Sequence, residues 1–383
     1  MRKICVVVGS RANYSSIKSA MQAIQDHPGL QLQVVACASA LLDRYGAVIS
    51  ILERDGFSPD ARIHMLIEGE TPVTMAKSTG LGLLELPTVF ETLQPDIVLT
   101  VGDRFETMAT TLAAAFMNIP LAHTMGGEVS GTIDESIRHA VTKFAHIHFP
   151  ACSEARERII RLGEPPENVH LVGCPRLDLV AEVVEQDENG LGPDLFAEGV
   201  GGIFGLDQSF LMLSQHPVTT EYGEGERQIT ESLMAVQSLG LPTLAFWPNA
   251  DAGAEEIARG MRKFREHQDD SKIHFFKNLP TEVYIALMRC TACIIGNSSS
   301  AIREGAFLGT PAVNIGSRQD SRQRGRNIVD VDYNRSAIAD AVLSQVKHGP
   351  YPSEPIYGDG RAGKRIADIL AKVQVKVQKR IAY

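Results

Sequence analysis

The stretch GGEVSGTIDESIRHAVTKFAHIH, residues 126–148, gathers the reactive residue types of this 383-residue chain. Glu128 falls in a loop, and Asp134, Glu135, Arg138 and His139 follow at what reads as a helix start. Carboxylates grouped with a guanidinium and an imidazole suit general acid–base chemistry, because neighbouring charges hold similar groups in different protonation states. Thr132 and Glu135 have capping-box spacing, and Ile133, Ile137, Val141 and Phe144 recur at helical spacing. With Glu135 engaged in the cap, Asp134 is the acid without a local duty, and Arg138, four residues on, is its expected ion partner. An ordinary capped surface helix explains the same spacing. Gly126 and Gly127 favour the chemical reading, since two glycines let the backbone turn sharply and bring Glu128 to the same opening.

A second chemical stretch is IIGNSSSAIREGAFLGTP, from Ile294 to Pro311. A strand ends at Gly296-Asn297, serines follow, and a helix begins through Ala301 and Glu304. Free amides and hydroxyls at a helix start form an anion site suited to a diphosphate, and Glu304 is placed to accept from the two hydroxyls of a ribose. The competing reading makes Ser298 a plain N-cap and leaves Glu304 solvated.

The elements that must position these groups alternate. Lys3–Val8 reads as a strand, Tyr14–Gln25 as a helix and Leu30–Cys37 as a strand; DIVLTV from Asp96, a helix through TMATTLAAAFM and IPLAHT from Ile119 repeat the rhythm. Strand, helix, strand with short connections means parallel pairing with helices on the sheet faces. The loops Gly9-Ser10-Arg11, Gly102-Asp103-Arg104 and Gly126-Gly127-Glu128 each follow a strand and should share one crevice. The aperiodic segment Glu182–Gly205 reads as a linker. Strands at Phe210, Leu241, Ile273, Ala292, Pro311 and Asn327 then form a second series. The fold expected is α/β, with two doubly wound Rossmann-like domains facing a cleft: residues 1–185, carrying the carboxylates, and residues 186–360, binding nucleotide. A helix in 361–383, roughly Gly363–Lys379, would pack back on the first domain.

A formal charge of −9 offers no general attraction for nucleic acid or an anionic membrane surface. No apolar run is long enough for a signal-peptide core or a bilayer span, so a cytoplasmic location is expected. Cys5, Cys37, Cys152, Cys174, Cys290 and Cys293 make no disulfide framework, and the Cys290-Cys293 pair reads as buried thiols at a strand start. His146 and His148 share one strand face, with His123 and His139 near in sequence, but their spacing matches no ligand set; no metal and no cofactor are expected. The chain lacks both GxGxxG after its first strand and GxxxxGK[ST], which disfavours a nicotinamide enzyme and a P-loop ATPase.

GSRANYSSIK, VGDRFET, the 126–148 stretch, QHPVTT, WPNADAG and GNSSSAIREGAFLGTPAVNIGSR occur in this order over most of the chain. The set resembles the hydrolysing UDP-N-acetylglucosamine 2-epimerases, GT-B-like enzymes that supply N-acetylmannosamine for sialic acid synthesis. The resemblance implies that Asp103, Glu128 and Asp134 surround the sugar and that Arg11 and His216 meet the diphosphate. It further implies that Asn249, Asp251 and Arg259 line the site, that Ser298 and Ser299 hold phosphate, that Glu304 holds the ribose, and that Arg318 borders the nucleotide. A homodimer or homotetramer is expected. Where the family usually has GTRADY and HGD, this chain has Ser10, Asn13 and Val101.

Inverting C2 of a 2-acetamido sugar while releasing it is most simply an elimination to a glycal followed by hydration, for which Asp103, Glu128 and Asp134 supply proton carriers and His216 and Arg11 stabilise charge on UDP. The rival substrate is a UDP- or GDP-linked 2,4-diacetamido-2,4,6-trideoxyhexose, of the legionaminic acid route. A GT-B glycosyltransferase would share the nucleotide half but need an acceptor site, and a nucleotide-sugar sensor would have no use for the carboxylates.

Overall fold

The computed structural model describes all residues except 70, 131–132, 187–194, 249–250, 268–271, 278 and 383. It divides into two compact units, one of Met1–Glu128, Ile133–Glu182 and Tyr357–Tyr383, the other of Val129–Thr132 and Val183–Ile356.

In the first unit the strands are β1 (Arg2–Val8), β2 (Leu30–Cys37), β3 (Ala61–Ile63), β4 (Ile97–Val101), β5 (Leu121–Thr124) and β6 (Ile147–Phe149). They pair in the order β3-β2-β1-β4-β5-β6, all parallel. The helices between them are α1 (Arg11–Ser15), α2 (Lys18–Asp26), α3 (Val48–Arg54), α4 (Pro72–Leu93), α5 (Phe105–Phe116), α6 (Ile133–Phe144), α7 (Ser153–Arg161) and α8 (Pro175–Gln186). Thr71 caps α4 by accepting from the Thr74 amide at 3.1 Å, and Pro72 occupies the first helical position, where its missing N–H costs nothing. The single helix expected over Tyr14–Gln25 is two: α1 ends at Ser15, and the non-helical backbone of Ile17 (φ −134°) separates it from α2.

The second unit contains β7 (Gly199–Gly201), β8 (Leu211–Ser214), β9 (Thr243–Phe246), β10 (Ile273–Phe276), β11 (Cys293–Gly296), β12 (Ala312–Ile315) and β13 (Ile328–Val331). Its helices are α9 (Gly225–Leu239), α10 (Ala254–Glu266), α11 (Thr281–Cys290), α12 (Ser299–Ile302), α13 (Glu304–Leu308) and α14 (Arg335–His348). The order is β13-β12-β11-β8-β9-β10-β7, parallel except for β7 against β10. Short apolar strands buried on both faces explain the pattern. Leu211, Leu213, Ala245, Phe275, Ile295 and Val313 pack on one side, whereas Met212, Leu244, Phe246, Phe276, Ile294 and Ala312 pack on the other. The segment read as linker contains the edge strand β7, too short and glycine-rich to show alternation. Cys293 is buried at the start of β11, but Cys290 is exposed, because it ends α11 before the strand begins.

Helix α15 (Ala362–Lys372) belongs to the first unit and lies against α2. Asp178 of α8 fixes its start by accepting from the Ala362 and Gly363 amides at 2.9 and 2.7 Å. The helix stops at Lys372, short of the Lys379 expected, because VQVKVQKR from Val373 is rich in β-branched residues and continues without helix. Among the described residues, no helix is long and apolar enough to cross a membrane.

Candidate active site

Both sheets have the doubly wound order, whose reversal point lies between β1 and β4 in the first unit and between β8 and β11 in the second. Crevices outside the carboxyl ends of strands at such points bind ligands. Arg11 follows β1, Asp103 follows β4 and Glu128 follows β5, so the three stand at the ends of neighbouring strands in the first unit. His216 follows β8, Ser298 and Ser299 follow β11 and Arg318 follows β12 in the second.

Arg138 organises the first group. Its guanidinium, 1% exposed, donates from Nη2 to the Asp103 carboxylate and from Nη1 to the Glu128 carbonyl at 2.9 Å. Burial opposes its charge, but Asp103, then Glu128 and more weakly Asp134 outweigh that and raise its pKa. Asp134, the expected ion partner, sits in the first turn of α6 and adds to the field that keeps Arg138 charged, while Asp103, from another loop, accepts a hydrogen bond from it. Glu135 pairs with His139 at 3.6 Å. The Thr132 half of the capping box lies outside the described residues.

His123 supports the Asp103 loop. Its Nε2–H donates to the Gly102 carbonyl at 2.7 Å, and its Nδ1 accepts from the Thr142 hydroxyl at 3.3 Å. Burial pushes its pKa down to about 3, so it stays neutral and keeps that tautomer. The glycine pair is explained by the same packing. A Cβ on Gly126 would lie 2.8 Å from His123 Nδ1, and one on Gly127, at φ +74°, would lie 2.3 Å from the Ala155 carbonyl. His148 pairs across the sheet with His123 and bonds Glu164 at 3.0 Å. These histidines hold structure, a role that sequence spacing does not reveal.

Asn13 ties the β1 loop to the β4 end. Its carbonyl oxygen accepts from the Gly9 amide at 3.3 Å and its amide donates to the Val101 carbonyl at 3.4 Å. The aspartate usual at this place could do only the first.

In the second unit the hub is Asn297, a residue the sequence did not single out. It accepts from the His216 amide at 2.7 Å and donates to the His216 carbonyl at 2.9 Å, while its own carbonyl accepts from Arg318 at 3.2 Å and Gln319 at 2.8 Å. Gly296, at φ +121°, must be glycine, since a Cβ would lie 2.2 Å from the Ser214 carbonyl. Ser298 is a cap, accepting from the Ser300 amide at 3.4 Å. Glu304 is buried, not solvated, because the helix expected here breaks at Arg303 and Glu304 opens α13 facing inward.

Arg259 is half-exposed and bridges α10 to α9 through Glu226 at 2.6 Å. Helical geometry on an amphipathic surface, with Lys263 one turn on also bound to Glu226, turns it to that bridge. Asp251 is partly buried at the turn before α10, its carbonyl accepting from the Ala254 amide, and Asn249 lies outside the described residues.

Chemically, the first unit can move protons between carboxylates whose charge Arg138 balances, and the second offers a histidine, an arginine and serines at strand ends, groups that suit an anionic ligand.

Known proteins match the chain over most of its length. A family model described as UDP-N-acetylglucosamine 2-epimerase matches residues 22–371. A Legionella pneumophila protein named UDP-N,N'-diacetylbacillosamine 2-epimerase (hydrolyzing) is 32% identical, over 99% of this chain and 98% of its own length. A Neisseria meningitidis UDP-N-acetylglucosamine 2-epimerase is 29% identical over 99% and 98%. The crystal structure of UDP-GlcNAc 2-epimerase from Neisseria meningitidis bound to UDP-GlcNAc superposes with a TM-score of 0.79 at 17% identity, covering 96% of this chain and 99% of that one, a likeness of fold.

Proposed function

The chain belongs to the UDP-N-acetylglucosamine 2-epimerase family, and from that premise we propose that it is a hydrolysing 2-epimerase: it turns a UDP-linked 2-acetamido sugar and water into UDP and the free 2-epimer. The observation that carries the reading is the buried guanidinium of Arg138 held between Asp103 and Glu128, with Asp134 in the first turn of the same helix. Such an array supplies proton carriers without an oxidant. A carboxylate takes the C2 proton as the C1–O bond to UDP breaks, giving the glycal. Water, losing a proton to a carboxylate, then adds its oxygen at C1, while a protonated carboxyl gives hydrogen to C2 from the opposite face. Arg11, His216 and Arg318 stabilise the departing diphosphate, and Glu304 holds the ribose.

The substrate assigned first is UDP-N-acetylglucosamine, giving N-acetylmannosamine, a sialic acid precursor. One observation favours a UDP-linked 2,4-diacetamido-2,4,6-trideoxyhexose instead: the relative named for that sugar shares more of this sequence than the relative named for UDP-N-acetylglucosamine. Incubation with each nucleotide sugar alone, followed by proton NMR, tests the proposal. Release of the free 2-epimer and UDP is expected, and the faster substrate decides between the two readings. Inertness towards both without an added acceptor would favour a glycosyltransferase and overturn the assignment.

A further inference from the structure

The C-terminal residues after α15 return to the far end of the helix that carries Asp134 and Arg138. Arg2 Nη1 donates to the Leu370 and Val373 carbonyls at 2.6 and 2.8 Å, which fixes where the strap begins. Further on, His146 Nε2–H donates to the Val377 carbonyl at 2.9 Å, and the Ala382 amide donates to the Gly163 carbonyl at 2.9 Å. Between these points Lys379 turns inward. Its ammonium donates to the Lys143 carbonyl at 2.7 Å and to the Ala145 carbonyl, lies 3.5 Å from the Thr142 carbonyl, and pairs with Glu164 at 2.8 Å.

Those carbonyls are orphans of the last turn of α6 and of Ala145, the residue just after it. A cation there satisfies them and meets the negative end of the helix dipole. The turn so gripped also holds Thr142, whose hydroxyl donates to His123; His123 in turn donates to the carbonyl of Gly102, the residue before Asp103. The counter-charge is fixed from below, because Glu164, 1% exposed, also receives Lys143 at 2.7 Å and His148 at 3.0 Å. An unbroken set of hydrogen bonds thus runs from Lys379 to the Asp103 loop inside one unit.

We infer that Lys379 is a positioning residue: the C-terminal strap clasps the end of α6 and so holds Arg138 and Asp103 in register for proton transfer. The inference rests on the reading that these residues serve the reaction. Its test is the full-length chain with Lys379→Met and with Lys379→Arg, studied below the melting temperature of each. In Lys379→Met, amide exchange over residues 138–146 should quicken and kcat should fall by about tenfold while KM stays within about twofold, because the defect is one of alignment and not of binding. Lys379→Arg, which keeps the cation and its donors, should recover most of kcat. A Lys379→Met enzyme with wild-type kcat would overturn the clasp whatever its stability, as would unchanged exchange in α6. A wild-type enzyme inert towards nucleotide sugars would overturn the proposed function, and exchange would still decide whether the strap holds the helix.

Discussion

The side-chain amide of Asn297 pairs with both the N–H and the C=O of His216, at 2.7 and 2.9 Å, so that a residue after β11 fixes the backbone after β8 as a neighbouring strand would. Only an amide can do both. Asn297→Asp keeps the shape but sets a carboxylate against the His216 carbonyl in a fully buried place, and should cost about 2 kcal/mol of stability. Urea unfolding measures this, and kcat should drop with it as His216 loses its place. A variant as stable and as active as wild type would show that the pairing is idle.

Arg138 is buried with Asp103 as its charge partner. Replacing Asp103 by Asn leaves the guanidinium inside without its main counter-charge, and a loss of about 3 kcal/mol is expected in denaturant titrations. Asp134→Asn should be milder on stability, since Asp134 contributes less than Asp103 to keeping Arg138 charged.

The two halves of the site should separate in kinetics. If Glu304 holds the ribose as proposed, Glu304→Ala removes a contact made in both ground and transition states and should mainly raise KM, whereas Asp134→Asn, removing a proposed proton carrier, should mainly lower kcat. Equal effects of both on KM, with kcat intact, would sink the assignment.

Acid should loosen the strap. Burial by itself would raise the pKa of Glu164, but hydrogen bonds from His148, Lys143 and Lys379 more than offset it and bring the carboxyl down to about 2. A folded pKa below the unfolded one gives stability that is present above the unfolded value, near 4.5, and is lost as pH falls towards 2. Over that window the wild type should lose about 3 kcal/mol from this group. Glu164→Gln should be less stable at neutral pH and show a flatter profile, checked by melting temperatures from pH 6 down to pH 3.

Elimination strips hydrogen from C2 before water adds, so in deuterium oxide the released sugar should carry deuterium at C2. Mass spectra and proton NMR of the product read this directly. Protium retained at C2 would exclude the glycal route, even with the nucleotide site intact.

Local sequence was enough for the class of fold and for the addresses of the reactive groups. Short runs such as Cys5–Val8 and Cys293–Ile295, alternating with amphipathic helices, allow little but parallel sheets, and glycine-led loops after β4 and β5 mark the strand ends where Asp103 and Glu128 stand. Both are local properties, set by neighbours a few residues apart. Tertiary structure decided the partners. Arg138 bonded Asp103 from another loop, Asn297 bonded His216 from another strand, His123 proved a support for Gly102, and Lys379 reached α6 from beyond α15. Each of those pairings joins residues distant in sequence, and periodicity carries no record of which side chains a folded sheet will bring within 3 Å of each other.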